Sequence, residues 1–356
     1  MFGFGQKQRP LLGIDIGSTA VKLIELAPCS ASGPEYCRVE ALALEPLPAH
    51  TLVEKKIADV SLVGETVATA LRRSKSKTKR AAVAVAGSAV ITKVLSLSAE
   101  LSDAEMEAQI QLEADQYVPY PLEEVNLDFD VIGPTQGSAG MVDVLLAASR
   151  QENVDDRVAA LELAGLTVEI VDIESNAVEN ACAVLLAASE SGADRLTAVV
   201  DIGATTTTLH VLRAGQNIYA REQSFGGQQL LEEVQRRAGI GRDEALSQLL
   251  ETPLSQSLQT EVLGPFQEAL ARQLARALQF FYSTSAYSQV DEVLLTGGVT
   301  QVPALAQPLA ERLALPVRIA DPFAEMALSA DLDPKLLRQG SNAMLVAIGL
   351  AMRRFR

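Results

Sequence analysis

Two short segments carry side chains suited to holding a polyphosphate and its metal ion: Asp15-Ile-Gly17-Ser18-Thr19, followed by Lys22, and Asp201-Ile-Gly203-Ala-Thr205-Thr206. Glycine at 17 and 203 lets backbone N–H groups approach phosphate oxygens that a Cβ would obstruct. Ser18, Thr19, Thr205 and Thr206 add hydroxyl donors and Lys22 a cation. Asp15 and Asp201 suit a hydrated Mg²⁺, which sheds its water reluctantly and accepts carboxylates through it. A single Asp-x-Gly turn means little, because hairpin tips favour these residues for backbone geometry alone. Here the segments are copies: from the aspartate onward six of twelve aligned positions are identical (Asp, Ile, Gly, Thr and two Leu). Two glycine pairs follow in order, Phe225-Gly226-Gly227 and Thr296-Gly297-Gly298, each where a strand gives way to a helix. Bare backbone there can lie against a flat ring or a phosphate, although either pair alone reads better as a tight βα connection.

The elements that must hold these residues follow from periodicity. Leu12 to Leu26 and Thr197 to Leu212 each read as an apolar strand, a sharp turn and an alternating strand, which is a hairpin with the polar residues at its tip. After the first hairpin, Glu40 to Leu47 extends the sheet, Ile57 to Arg73 has helical spacing, and Ala81 to Ala86 and Val90 to Leu97 are strands. Ser102-Asp-Ala-Glu105 is a capping box opening a helix with Met106, Ile110 and Ala114 on one face, stopped by Pro119 and Pro121. With strands Val125 to Ile132 and Met141 to Ala147, this stretch is an inserted subdomain. A helix from Asn153 to Leu163, a strand from Thr167 to Asp172 and a helix from Ser175 to Ala188 then predict a mostly parallel sheet. The second half repeats the pattern with a strand from Asn217 to Ser224 and helices across Gln228 to Arg237 and Leu258 to Ser285. Strands Glu292 to Thr296 and Val317 to Ala320 then flank a helix from Val302 to Leu313, and the chain ends in a helix from Asn342 to Phe355.

Composition removes several function classes. The 356 residues are 48% hydrophobic and 21% charged, enough for about two domains with substantial cores. Thirty Lys and Arg against 45 Asp and Glu give a net charge of -15, which argues against nucleic acid as a partner. The basic run Arg72 to Arg80 departs from this and reads as a solvated boundary loop. The longest apolar run, Ala343 to Met352, is shorter than the ~20 residues of a membrane span, and the first residues lack a secretory pattern. Cys29, Cys37 and Cys182 have neither zinc nor disulfide-framework spacing, which suits a reducing cytoplasm, and His50 and His210 lack partners for a catalytic or metal site.

No Gly-x-x-x-x-Gly-Lys-Ser/Thr loop and no Gly-x-Gly-x-x-Gly turn is present. The ordered set of two Asp-Ile-Gly turns and two Gly-Gly pairs resembles instead the actin, sugar-kinase and heat-shock chaperone superfamily, in which duplicated RNase H-like halves close around Mg·ATP. Segments outside those motifs, Ala84 to Lys93, Glu113 to Pro121, Asp143 to Ala148, Phe225 to Gln229 and Asp321 to Leu328, resemble the PilM family. Its members are actin-like cytoplasmic components of type IV pilus assembly and relatives of the division protein FtsA.

That resemblance implies an α/β, actin-like fold with an SHS2-like insertion, subdomain 1C. It places 1–80 and 151–195 in subdomain 1A, 81–150 in the insertion, 196–225 with 286–340 in 2A, 226–285 in 2B, and 341–356 in a helix returning to 1A. Asp15, Gly17, Ser18, Thr19 and Lys22 would form the first phosphate turn, and Asp201, Gly203, Thr205 and Thr206 the second, with Mg²⁺ held by Asp15 and Asp201 through water. Gly226, Gly227, Gly297 and Gly298 would surround ribose and adenine, and Gln273 and Arg276 would close over the base. Glu174 stands where the superfamily often orients an attacking water, and equally where a helix N-terminus favours a carboxylate; at most a slow ATPase is expected. The partner implied is the cytoplasmic N-terminal segment of PilN, in a groove between 1A and 1C, with Tyr117, Pro119, Tyr120 and Pro121 as its walls. Other platform proteins, motor ATPases and self-association are further expected contacts, at the cytoplasmic face of the inner membrane. Membrane association would run through those partners, and the biological setting would be twitching motility. The alternatives are an FtsA-like filament protein anchored by its C-terminal helix, and a small-molecule kinase of the same superfamily.

Overall fold

A computed structural model of the chain describes residues 9–28, 37–186, 195–250 and 254–355. Cys29, Arg356, the first eight residues and the last part of the helix expected to reach Ala188 lie outside the described residues. In the first half, β1 (Leu12–Ile16) is buried at every position and turns back into β2 (Ala20–Pro28), which pairs antiparallel with β3 (Cys37–Pro46). Because β1 is covered on both faces, its apolar residues need not alternate. A two-residue hairpin, β4 (Leu52–Val53) and β5 (Lys56–Ile57), leads to α1 (Val60–Ser74), where the Asp59 side chain accepts from the Leu62 N–H and Lys75 ends the helix left-handed. In the basic run that follows, Arg73 pairs with Glu45 and Arg80 with Glu169, while Ser76 and Thr78 donate to Glu25. β6 (Arg80–Val85) then joins the sheet parallel to β1.

The insertion is a three-stranded antiparallel sheet of β7 (Val90–Ser98), β8 (Val125–Pro134) and β9 (Met141–Arg150), with β9 central. Leu95, Leu97, Val144 and Leu146 of that sheet pack on Met106, Ile110 and Ala114 of α2 (Asp103–Ala114), whose capping box between Ser102 and Glu105 is formed in both directions. The chain returns to the first half through α3 (Gln151–Leu163), β10 (Thr167–Ile173) and α4 (Glu174–Leu185).

The second half repeats the plan. β11 (Leu196–Ile202), β12 (Thr207–Arg213) and β13 (Gln216–Gln223) form an antiparallel meander. α5 (Gly227–Ala238), α6 (Arg242–Leu250), α7 (Gln256–Leu258) and α8 (Gly264–Thr284) follow, then β14 (Glu292–Thr296), α9 (Ala306–Leu313) and β15 (Val317–Ile319). The strand order β13-β12-β11-β14-β15 matches β3-β2-β1-β6-β10 strand for strand. Even the register is kept: Asp15 lies opposite Lys22 as Asp201 lies opposite Thr208.

Several sequence expectations need correction. Both sheets are mixed rather than mostly parallel, because each hairpin contributes antiparallel pairs while only the crossover strands run parallel. β6 belongs to the first sheet, so the insertion begins after it and not at 81. The segment 286–340 is divided: β16 (Ala327–Leu328) pairs with β3 of the first half, and α10 (Pro334–Gly340) follows it. The last helix, α11 (Leu345–Ala351), is short and flanked by 3-10 turns.

All seven residues of α11 are buried. A Cβ at Gly13 would sit 2.0 Å from the Ala347 carbonyl oxygen, and one at Gly349 would sit 1.7 Å from that of Ala177, so the helix meets β1 and α4 backbone to backbone. Its cluster takes in Val199, Leu212 and Leu294 from the second sheet, which makes it the joint between the halves. A helix apolar all round is what such a place selects, so the membrane-anchor alternative loses the segment it needed. Among the described residues no helix is long and apolar enough to cross a membrane.

Candidate functional site

The two hairpin tips meet, with Ser18 Oγ 2.8 Å from Thr205 Oγ1. Each tip is closed the same way: the Gly17 N–H donates to the Ala20 carbonyl at 3.0 Å and the Gly203 N–H to the Thr206 carbonyl at 2.9 Å. The glycine amides are therefore spent inside the turns, and what glycine supplies is room. A Cβ at 17 would lie 2.8 Å from Lys22 Nζ and one at 203 would lie 3.0 Å from the Thr206 carbonyl oxygen. The second tip is braced from behind by α5, since the Gly227 and Gln228 N–H groups donate to the Gly203 and Ala204 carbonyls at 2.9 and 2.7 Å. A Cβ at Gly226 would lie 2.6 Å from both of those carbonyl oxygens. Gly297, at φ +91°, brings its backbone so close that a Cβ would be 2.3 Å from Asp201 Oδ1, and its N–H and the Thr296 hydroxyl both donate to the Asn342 carbonyl at 2.7 Å. Gly298 differs: nothing lies within 4 Å of where its Cβ would be.

Charge is concentrated at the tips. Lys22 Nζ contacts Asp15 Oδ2 at 2.6 Å. Burial works against the lysine's charge, yet Asp15, aided by Asp201 and Glu174, holds its pKa above the ordinary value. Asp201 is pushed up by burial and by Asp15 and Glu222, against the pull of Lys22 and Lys55. Glu174, the first residue of α4, is also pushed up by burial although Lys55 sits 2.8 Å away. Lys55 also reaches Glu222 of β13 at 2.7 Å, and its pKa is raised by these two carboxylates despite burial.

Four carboxylates thus face two ammonium groups, a surplus of negative charge that suits a divalent cation. Among the described residues no group of three or more His, Cys, Asp or Glu is placed to hold a metal by itself. A magnesium ion would therefore complete its shell from water and phosphate, its habit in nucleotide sites. The donor set and the glycine-cleared space at the tips fit Mg·ATP.

Gln273 on α8 lies near the cleft, its carbonyl accepting from the Gln223 side chain at 3.3 Å. Arg276 stands exposed one turn further on, and among the described residues no hydrogen bond or ion pair ties it to the tips. Lys55, Glu222 and Arg157 escaped the sequence reading. Glu54 and Lys55 form the tip of the β4–β5 hairpin with φ +49° and +64°. Such a turn ordinarily carries Asn-Gly, so Glu-Lys gave no hairpin signal. Left-handed backbone at such residues costs about 1–2 kcal/mol each, so something must hold it. Arg157, buried on α3, does so: its guanidinium donates to the carbonyls of Lys55 at 3.1 Å, Ala84 at 2.8 Å and Asn153 at 2.8 Å.

The sequence model of the type IV pilus assembly protein PilM family matches residues 13–355. The chain belongs to that family. A solved structure described as the PilM-PilN type IV pilus biogenesis complex is 27% identical, with a TM-score of 0.81, over 98% of this chain and 99% of that one. The ethanolamine utilization protein EutJ from Carboxydothermus hydrogenoformans is 16% identical with a TM-score of 0.58, over 97% of this chain and 89% of its own. A diol dehydratase-reactivating factor in nucleotide-free form is 12% identical with a TM-score of 0.55, over 98% and 100%. At those identities the last two share the fold alone, which is the actin-like α/β fold expected from the sequence.

In this PilM-family chain a second concavity, of about 170 Å³, lies between the first half and the insertion. Val118 and Tyr120 line it, together with Ile91, Ala148, Glu54 and Lys55. Of the four residues expected to wall a peptide groove, Tyr120 is among the lining of this concavity, and Tyr117, Pro119 and Pro121 are not. The Arg150 guanidinium sits 5.4 Å from the Tyr120 ring centroid, while Tyr117 faces Lys93 at 5.1 Å.

Proposed function

We propose that the cleft between the hairpin tips binds Mg·ATP and that the chain is an adaptor of the type IV pilus inner-membrane assembly complex. In that role it couples nucleotide state to its grip on the cytoplasmic N-terminal segment of PilN, and so to pilus biogenesis and twitching motility. The observation that carries the nucleotide half is the meeting of two equivalent tips, Ser18 and Thr205 being 2.8 Å apart among glycines whose Cβ positions are closed by the second turn. Ser18, Thr19, Thr205, Thr206 and Lys22 would take phosphate oxygens, and Asp15 and Asp201 would hold Mg²⁺ through water. Gly226, Gly227, Gly297 and Gly298 would border ribose and base, with Gln273 and Arg276 at the base's edge. The bound metal supplies neutralisation of the polyphosphate, and the protein's contribution is positioning. Glu174 is the candidate for orienting a water, with its carboxylate 2.8 Å from the Lys55 ammonium, and at most slow hydrolysis is expected.

The partner half is supported by the PilM-PilN relative and by the groove walled by Val118 and Tyr120. An aromatic ring beside aliphatic side chains is a common way to take an extended peptide. Residence at the cytoplasmic face of the inner membrane then follows from PilN, and links to other platform proteins and motor ATPases would run through the same assembly. Calorimetric titration of the purified chain with Mg·ATP and, separately, with the N-terminal PilN peptide tests both halves. Micromolar or tighter binding of each is expected. Absence of nucleotide binding would remove the cleft assignment, and absence of peptide binding the adaptor role.

A further inference from the structure

The turn at Glu54 and Lys55 has two faces. Its groove face is part of the concavity between the first half and the insertion, where Glu54, Lys55, Lys56 and Asn153 are all lining residues. Its cleft face is the Lys55 ammonium, which bridges Glu174 on α4 of the first half and Glu222 on β13 of the second at 2.8 and 2.7 Å. One residue therefore ties the two halves together through its ammonium and also lines the groove. The support beneath it is shared as well: Arg157 grips the carbonyls of Lys55 and of Asn153, both lining residues, from a buried position. Both tip residues are left-handed without being glycine, a conformation kept only where surroundings enforce it.

We propose that the Glu54–Lys55 turn is the coupling element between groove and cleft, so that a peptide in the groove and Mg·ATP in the cleft alter each other's affinity through the position of the Lys55 ammonium. This rests on the two binding assignments made above. Coupling requires each ligand to distinguish two arrangements of one element. The cleft ligand can do so because it brings charge beside Glu174 and Asp201, the carboxylates among which Lys55 sits. The groove ligand can do so because it packs against the turn residues Glu54, Lys55 and Lys56, which line the concavity and carry that ammonium. Lys55 is thus a positioning residue, acting on each ligand by way of the other's site.

The test is a thermodynamic cycle on the full chain, with Lys55→Met, which keeps an apolar stem and removes the charge, and Glu222→Gln, which breaks the tie between halves and leaves the turn itself alone. The PilN N-terminal peptide is titrated with and without saturating Mg·ATP, and the ratio of the two affinities is the readout, whatever either variant does to one affinity alone. The wild-type ratio should depart from one by about fivefold or more, with the same factor when ATP is titrated with and without peptide. In both variants it should fall to within about twofold of one. A wild-type ratio of one, or a ratio that survives in either folded variant, overturns the proposal while leaving both binding assignments standing. Should the peptide fail to bind, amide exchange across residues 52–58 gives a reading without it: Mg·ATP should change protection there in the wild type and not in Lys55→Met. Unchanged protection in the wild type overturns the coupling role. Failure to bind nucleotide at all would bring down the cleft assignment and the coupling with it.

Discussion

The two aspartate turns share strand register and internal hydrogen bond, yet they differ in what stands across from the aspartate. Asp15 faces Lys22 and is ion-paired with it at 2.6 Å, so the first tip is neutralised inside its own hairpin. Asp201 faces Thr208, and among the described residues it has no ion pair. Lysines answer its charge only through space. Duplication thus produced two cups of one shape, and divergence left one self-satisfied and the other short of a cation. A bound metal has most to gain at the second tip, whereas at the first it must compete with a lysine already in place.

The largest expected effect separates the two aspartates by stability. Asp15→Asn leaves Lys22 largely buried without its partner, and breaking a pair of this kind costs about 3 kcal/mol. The side-chain exposures of 18% and 10% place it short of the fully buried extreme. Asp201→Asn removes a buried charge that nothing directly pairs and should leave urea stability unchanged or slightly higher. For Mg·ATP the direction reverses, and Asp201→Asn should lose at least about 100-fold in affinity. Equal loss of stability in the two variants would break the comparison. Next in size is a contrast beside the second tip. Gly297→Ala meets both a left-handed backbone and Asp201 Oδ1, and should cost about 2 kcal/mol. Gly298→Ala enters open space, should stay within about 0.5 kcal/mol in stability and should weaken only nucleotide binding. A destabilised Gly298→Ala would mean that its glycine serves the fold.

How much of this could be read from residues alone depends on whether a signal was local. The hairpins, the capping box at Ser102 and the duplication were legible because each is written in spacing or in a repeated motif. β16 was not, because two residues joining β3 from almost 300 positions away have no periodicity to show. The Lys55 turn stayed hidden for another reason. Its backbone contradicts the residues that form it, and the contradiction is resolved by Arg157, about a hundred residues later, which no local rule connects to it. The tips' residues were found, but their roles shifted: Gly17 and Gly203 clear space, and their amides serve the turn. Of the Tyr-Val-Pro-Tyr-Pro segment only Val118 and Tyr120 line the concavity beside the insertion, because a motif gives residues without giving sides.

A smaller effect tests whether the tips are joined as well as alike. The Ser18–Thr205 contact is a direct bond between the halves at this point, and exposed hydroxyl pairs contribute about 1 kcal/mol or less. Ser18→Ala and Thr205→Ala should each destabilise by that amount, and the double variant by no more than either alone. Additive losses in urea denaturation would mean that each hydroxyl serves its own turn.

The subtlest prediction concerns pH. Asp201 and Glu174 have pKa values raised by burial above their ordinary 3.8 and 4.5. Between those ordinary values and the raised ones the folded chain binds more protons than the unfolded chain, so folding stability falls as pH rises through that window. On acidification toward that window these two carboxylates therefore contribute stability to the ligand-free protein, an inversion of usual carboxylate behaviour. Buried His210, lowered to about 4, acts in the opposite sense below its ordinary 6.5, as do exposed carboxylates such as Glu233 at about 2 in stronger acid, but these are the same in any variant of the tip. The difference between wild type and Asp201→Asn isolates the second tip: wild-type stability should rise relative to the variant as pH drops. Mg·ATP affinity should fall over the same range, since the metal requires the ionised carboxylate. Urea midpoints measured from pH 8 to about pH 5 without magnesium decide it. Parallel curves would mean that Asp201 titrates like an ordinary aspartate and that the second tip lacks the uncompensated charge that sets it apart from the first.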